Sequence, residues 1–229
     1  LSPLVIVDTN ILIDELVHRV SEKLGISAES ALDIGGAGRF HRILLRRAEE
    51  GRIHLWMPKV IRSELESIGN DLGRIRSRFG DILVSSASLD QVITSANMKE
   101  ILKDIIKDFS NWSPLDLHLE SEVDGEEIRD ELKQFLIDHH EVYDEITAMK
   151  RLHGEPLRTV IGNADIYPET ADQTIMWLAA ILAKRPLGEL GSILVATRDS
   201  DFALVARALE ERFGFGTVAN SRNLNTWIR

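Results

Sequence analysis

The chain alternates short apolar runs with longer stretches of helical periodicity. Leu4–Val7 and Ile193–Ala196 are continuous runs of mostly branched residues, the pattern of strands buried on both faces. Ile53–Met57 and Phe215–Val218 read as two further short strands. The spacing predicts helices over about 11–24, 40–50, 58–68, 126–152 and 168–184. Gly51 and Gly69-Asn70 stand at the ends of two of these, and Pro58 and Pro168 open two others. Ser200 is placed to cap a helix over about 201–212. From Asp71 to about Trp112 the pattern is helical without a strong strand, Ser113-Pro114 breaks it, and 153–165 reads as loop. Strands alternate with helices at both ends of the chain, which predicts an α/β fold with a mostly parallel sheet. On this reading 1–229 is a single domain, with its core in 1–70 and 166–229 and a helical, partly acidic insertion at about 71–165.

Composition narrows the class. With 44% hydrophobic and 28% charged residues over 229 positions, the chain is neither disordered nor of low complexity. No apolar run approaches the roughly 18 residues of a membrane span, and no leader pattern opens the sequence. The absence of cysteine excludes a disulfide framework, a thiol nucleophile and a Cys-zinc site, and fits a cytoplasmic protein. The formal charge of −10 has one source. Segment 116–146 holds twelve acids and two bases, while the remainder has 25 of each sign and is neutral. An acidic total therefore does not exclude a nucleic-acid partner for the body of the protein.

The candidate chemistry lies where the sheet ends. Ligands of open α/β sheets bind beyond the carboxyl ends of the strands. The first strand runs into Asp8-Thr9-Asn10, and the later one into Thr197-Arg198-Asp199-Ser200-Asp201. Helical phase adds two acids. Glu64 falls on the stripe of Val60, Ile61, Leu65 and Ile68, while Glu66 is about 200° further round and faces water. Asp172 shares a face with Ile175, Met176 and Ala179 in a first helical turn, where the helix dipole favours negative charge. Five acids converging on one edge would repel and bind protons near neutral pH. A divalent cation with a taste for oxygen ligands, Mg²⁺ or Mn²⁺, relieves that repulsion, and such sites serve phosphodiester hydrolysis.

These residues resemble the PIN-domain nucleases. The resemblance rests on Val7-Asp8-Thr9-Asn10, the helix from Pro58 to Leu65 with its Glu64, Ala171-Asp172, and Thr197-Arg198-Asp199-Ser200-Asp201-Phe202, in that order. Val218 to Ile228 also looks like the closing strand of such domains. The resemblance implies a three-layer α/β/α domain that cuts RNA, single-stranded or structured, as a Mg²⁺- or Mn²⁺-dependent endoribonuclease. Asp8, Glu64, Asp172 and Asp199 would be catalytic metal ligands with Asp201 in support, and Asn10 and Thr197 would orient them. Homodimers are common in the family. The segment 71–165 departs from the short toxins of toxin–antitoxin pairs and is similar to inserts in larger bacterial and archaeal PIN-like proteins.

Other signals are weaker. Arg39, Arg42, Arg46, Arg47 and Arg52 cluster around one helix, with Arg74, Arg76 and Arg78 in a second group. They are either solvated helix faces or, for Arg39, Arg42, Arg46 and Arg47, contacts to an RNA backbone. Segment 116–146 is a solvated helix, a shield for the site, a nucleic-acid mimic or the seat of a protein partner. Gly35-Gly36-Ala37-Gly38 lacks the Lys-Ser/Thr of a phosphate loop. His139-His140-Glu141 points its side chains apart and is a poor metal motif. A haloacid-dehalogenase-like phosphatase needs an acid where Asn10 stands. A non-catalytic PIN-like module that docks RNA or protein is the remaining alternative.

Overall fold

The computed structural model describes residues 1–25, 40–77, 79, 86–112, 125–152, 160–161, 164–165, 168–184 and 190–228. Its centre is a four-stranded parallel sheet in the order β2-β1-β5-β6. The strands are β1 (Ser2–Val7), β2 (His54–Trp56), β5 (Leu190–Ala196) and β6 (Gly216–Val218). Leu4, Val5, Ile6 and Val7 are all fully buried, as a central strand covered by helices on both faces requires. The β1–β5 register pairs Val7 with Ala196. The next residues, Asp8 and Thr197, therefore leave the sheet side by side. Their own amides extend the ladder, Asp8 to the Ala196 carbonyl at 3.0 Å and Thr197 to that of Val218 at 3.1 Å.

Two groups of helices enclose the sheet in a three-layer α/β/α arrangement. One comprises α1 (Thr9–Lys23), α2 (Phe40–Glu49), α3 (Lys59–Asn70) and, beyond the short α4 (Leu72–Ser77) and α5 (Ser86–Val92), α6 (Ser95–Ser110). The other is built on α9 (Thr170–Lys184), which packs on β5, α11 (Ala206–Phe213) and α7 (Glu126–Asp138). α9 buries Ile175, Met176 and every residue from Leu178 to Leu182, because it is apolar nearly all round and has no solvent face to offer. The described part of 71–165 is not peripheral. Met98, Ile105, Phe109, Phe135 and Ile146 join the same core as β1. The Trp112 carbonyl accepts the Leu55 amide at 3.2 Å, which occupies part of the open edge of β2.

Four expectations are corrected. The helix over 126–152 is two helices, α7 and α8 (His140–Leu152). At the junction the His139 and His140 imidazoles lie 2.9 Å from the Phe135 and Ile137 carbonyls, satisfying groups a helix end leaves bare. The helix over 201–212 is likewise two, α10 (Ser200–Ala203) and α11. Its cap is Asp199, not Ser200, and the Asp199 carboxylate accepts the Asp201 amide at 3.1 Å. The break lets adjacent Asp201 and Phe202 both turn inward before Leu209 and Phe213 resume the apolar stripe. The chain beyond Val218 is not a closing strand. Asn220 caps α12 (Ser221–Trp227), accepting the Asn223 amide at 3.0 Å, and Leu224 anchors it in the core. Within 153–165, β3 (Val160–Ile161) and β4 (Ala164–Asp165) form a small antiparallel pair.

Candidate metal centre

Asp8 is held from three sides. It caps α1, its Oδ1 accepting the Thr9 amide at 2.6 Å. Its Oδ2 accepts the Asn10 side-chain amide and the Thr197 hydroxyl, each at 2.6 Å. Thr197 has one proton to give and gives it to Asp8, so it accepts from Asn10 at 3.2 Å and from the Asp199 amide at 3.0 Å. The Asn10 carbonyl oxygen accepts the Arg198 amide at 3.3 Å. Asn10 and Thr197 thus tie the two strand ends together and fix the rotamer of the carboxylate between them.

The remaining acids arrive from helices. Glu64 is half-buried on α3, where its Oε2 accepts the Thr9 hydroxyl at 2.7 Å. Glu66 is exposed on the same helix, as its phase predicts. Asp172 stands in the first turn of α9, and Asp199 and Asp201 sit at the start of α10. Ligand oxygens of Asp172, Asp199 and Asp201 all lie within 4.8 Å of one another, and this trio can hold a metal ion. It is the one group of His, Asp or Glu side chains so disposed among the described residues.

The charges in this site are poorly compensated. Burial pushes the Asp8 carboxyl up to about 7, with repulsion from Asp199 and Glu64 adding to it against the Thr197 hydrogen bond. Burial likewise raises Asp172 well above the ordinary carboxylate range, with Asp8, Asp199 and Asp201 all adding. Asp201, fully buried, rises to about 7 through burial and the charge of Asp199, despite an opposing lysine. Such shifts mark carboxylates crowded without enough positive charge.

That lysine is Lys150 of α8, which the sequence reading did not single out. Its Nζ lies 3.2 Å from Asp199 Oδ1 and 3.3 and 3.2 Å from Asp201 Oδ1 and Oδ2. Burial disfavours its charge, but Asp201 and Asp199 outweigh that and hold the ammonium protonated. The available signal was the stripe Tyr143, Ile146, Thr147, Lys150, with period i, i+3, i+4, i+7. Thr9 was also missed as a partner of Glu64. Its hydroxyl follows a strand-end Asp, and nothing in the sequence announces where it points.

The arginines fall elsewhere. Ser2, which opens β1, donates to the Gly51 carbonyl at 2.9 Å. The end of α2 therefore lies at the opposite end of the sheet from Asp8, about 20 Å away for a strand of this length. There Arg46, Arg47 and Arg52 lie 3.0, 2.8 and 3.5 Å from the same Glu50 carboxylate. Arg42, in the first turn of α2, pairs with Glu22 at 2.8 Å. Arg39, the side chains of Arg74 and Arg78, 116–124 and Gly35–Gly38 lie outside the described residues. In the described part of the acidic segment, α7 turns Leu132 and Phe135 inward and its acids outward. No helix among the described residues is long and apolar enough to cross a membrane. No family model, curated protein or solved structure matches the chain.

Proposed function

We propose that the protein is a divalent-metal-dependent nuclease of PIN type, and that its substrate is RNA. The observation that carries this reading is the gathering of Asp8, Glu64, Asp172, Asp199 and Asp201, from two strand ends and two helices, at the carboxyl edge of one parallel sheet. The donor set fits Mg²⁺ or Mn²⁺, because every ligand is a hard carboxylate oxygen. The raised pKa values of Asp8 and Asp201 are those of ligands awaiting positive charge. A divalent ion held there would polarise a phosphoryl oxygen and acidify a bound water. The chain's own part is to preset the carboxylates. Asn10 and Thr197 hold Asp8, Thr9 holds Glu64, and the helix cap holds Asp199.

Arg46 and Arg47 share Glu50, and Arg42 pairs with Glu22 in the last turn of α1, about 20 Å along that helix from Asp8, so an RNA backbone met by these arginines would lie away from the carboxylates. A second reading, a non-catalytic PIN-like binding module, is favoured by one observation: Lys150 already neutralises part of the Asp199–Asp201 pair. Cleavage of labelled single-stranded RNA and DNA in Mn²⁺, Mg²⁺ or EDTA separates the two. Metal-dependent cutting of RNA that EDTA abolishes is expected. Intact RNA and DNA in every metal, with no metal-induced rise in melting temperature, would leave the binding module standing.

A further inference from the structure

Helix α8 is held to the carboxylate edge in two different ways along its length. In its first two turns Tyr143, Ile146 and Thr147 are buried. The Tyr143 hydroxyl donates to the Asp201 carbonyl at 3.3 Å, and the Thr147 hydroxyl turns back to the Tyr143 carbonyl at 2.8 Å. These contacts seat the start of α8 on α10. In the last turn Met149 is 43% and Leu152 85% exposed, so neither is buried against the body. Lys150 reaches inward instead, with its side chain only 14% exposed. Its ammonium lies within 3.3 Å of three oxygens on Asp199 and Asp201. Those are two of the three acids whose oxygens lie close enough to share an ion, and that trio is the one such group among the described residues. The ammonium therefore stands on oxygens an ion would need. Mg²⁺ bonds oxygen at about 2.1 Å, so an ion on those oxygens would press against the ammonium, and like charges so close repel strongly. The flexible four-carbon stem of lysine lets the charge withdraw while Tyr143 and Ile146 stay packed.

We propose that α8 is a latch on the site: Lys150 holds the cation position of Asp172, Asp199 and Asp201, and a divalent ion enters only by displacing it, which frees the last turn of α8. Lys150 is then an autoinhibitory contact, and metal uptake is coupled to loosening of the helical segment. The inference rests on the metal-centre reading above and adds how that centre is controlled. The apparent metal affinity is lowered by the fraction of chains in which the lysine is still seated.

Calorimetric titration of the full chain with Mn²⁺, paired with amide hydrogen exchange, tests this. Lys150→Met removes the charge and should bind Mn²⁺ about tenfold or more tightly than wild type. Lys150→Arg keeps the charge and should stay close to wild type. In wild type, saturating Mn²⁺ should speed exchange of the amides of 149–152 and leave those of 140–147 protected. Equal or weaker binding by Lys150→Met would overturn the proposal while leaving the metal centre intact. Tighter binding by Lys150→Met with unchanged exchange at 149–152 in wild type would also overturn it, making the lysine a repelling neighbour that keeps its place. So would binding by Lys150→Met alone, because an ion then never displaces the lysine. No binding by any variant is a different result, and removes the metal centre itself and the latch with it. If Lys150→Met does not fold, exchange in wild type decides, and unchanged protection at 149–152 in the Mn²⁺-bound chain would overturn the proposal.

Discussion

Helix α1 carries two buried ionic clusters, and they are opposites. At its start Asp8 belongs to a group of five acids with one described lysine among them. Two turns on, Glu15 is just as buried, 4% exposed like Asp8. Its neighbours, however, are Arg19 at 2.5 Å and His41 at 2.8 Å, with Arg19 also bound to Asp108 at 2.6 Å. Burial alone would raise the Glu15 pKa; the His41 and Arg19 contacts outweigh it and the result is lowered. Burial alone raises Asp8, and nearby acids add to it. The same helix and the same burial give opposite shifts, so the balance of neighbouring charge decides. A balanced cluster is a structural fastening. An unbalanced one draws protons or a cation, and that makes it the candidate for chemistry.

The largest effect should separate the clusters by activity. Asp8→Asn keeps a side chain able to cap α1 and removes one of the crowded charges. It should abolish metal-dependent RNA cleavage while the metal-free melting temperature holds or rises. A lower melting temperature in EDTA would break the contrast, because it would mean that the Asp8 charge is already compensated.

Glu15→Gln should do the reverse. It strips buried His41 and half-buried Arg19 of their carboxylate, a loss typically of about 3–5 kcal/mol when a buried pair is broken. Urea melts should show most of that loss, with cleavage by the folded fraction unchanged. A change under about 1 kcal/mol would put Glu15 among ordinary surface pairs.

Titration should distinguish the clusters in sign. Asp8 and Asp201 sit at about 7 against an ordinary 3.8. The folded chain therefore holds more protons between those values, and stability falls as pH rises through that window. Glu15 contributes the other way, with stability present above its unfolded pKa and lost as pH falls through the lowered one. Metal-free protein should lose several degrees of melting temperature from about pH 5 to about pH 8, and Mg²⁺ or Mn²⁺ should restore them at the upper end. A flat profile without metal would count against the crowding. The smallest effect belongs to Glu66→Gln. This exposed acid on the helix of Glu64 should leave both cleavage and stability within error, and a clear loss of activity would mean that Glu66 reaches the site.

The acidic half of the site was legible because its signals are local. An apolar run that stops at an Asp marks a strand end, and the phase of Val60, Ile61, Leu65 and Ile68 decides which of Glu64 and Glu66 faces in. The cation was harder to see. Lys150 sits among eight exposed or half-exposed acids of α7 and α8, and its composition says solvated helix. Only the stripe begun by Tyr143 says otherwise, and a stripe tells that a face is buried, not against what. The arginines around α2 show the complementary case. Clustering in sequence is visible, and Glu50 stands within it, but Glu22 lies 20 residues before Arg42 and reaches it only through the packing of α2 on α1.

By itself, the order of apolar and polar residues determined that this chain has buried parallel strands, helices between them, and acids at two strand ends and on two inner helix stripes. Those properties depend on continuous apolar runs and on a period of 3.6 residues, which any short window displays. Tertiary structure alone decided that Asp8 and Thr197 stand side by side, through the register of Val7 with Ala196. It alone carried Lys150 across 49 residues to Asp199. Register and long-range docking are set by how whole faces fit and which charges they bring together, and no local pattern encodes the partner.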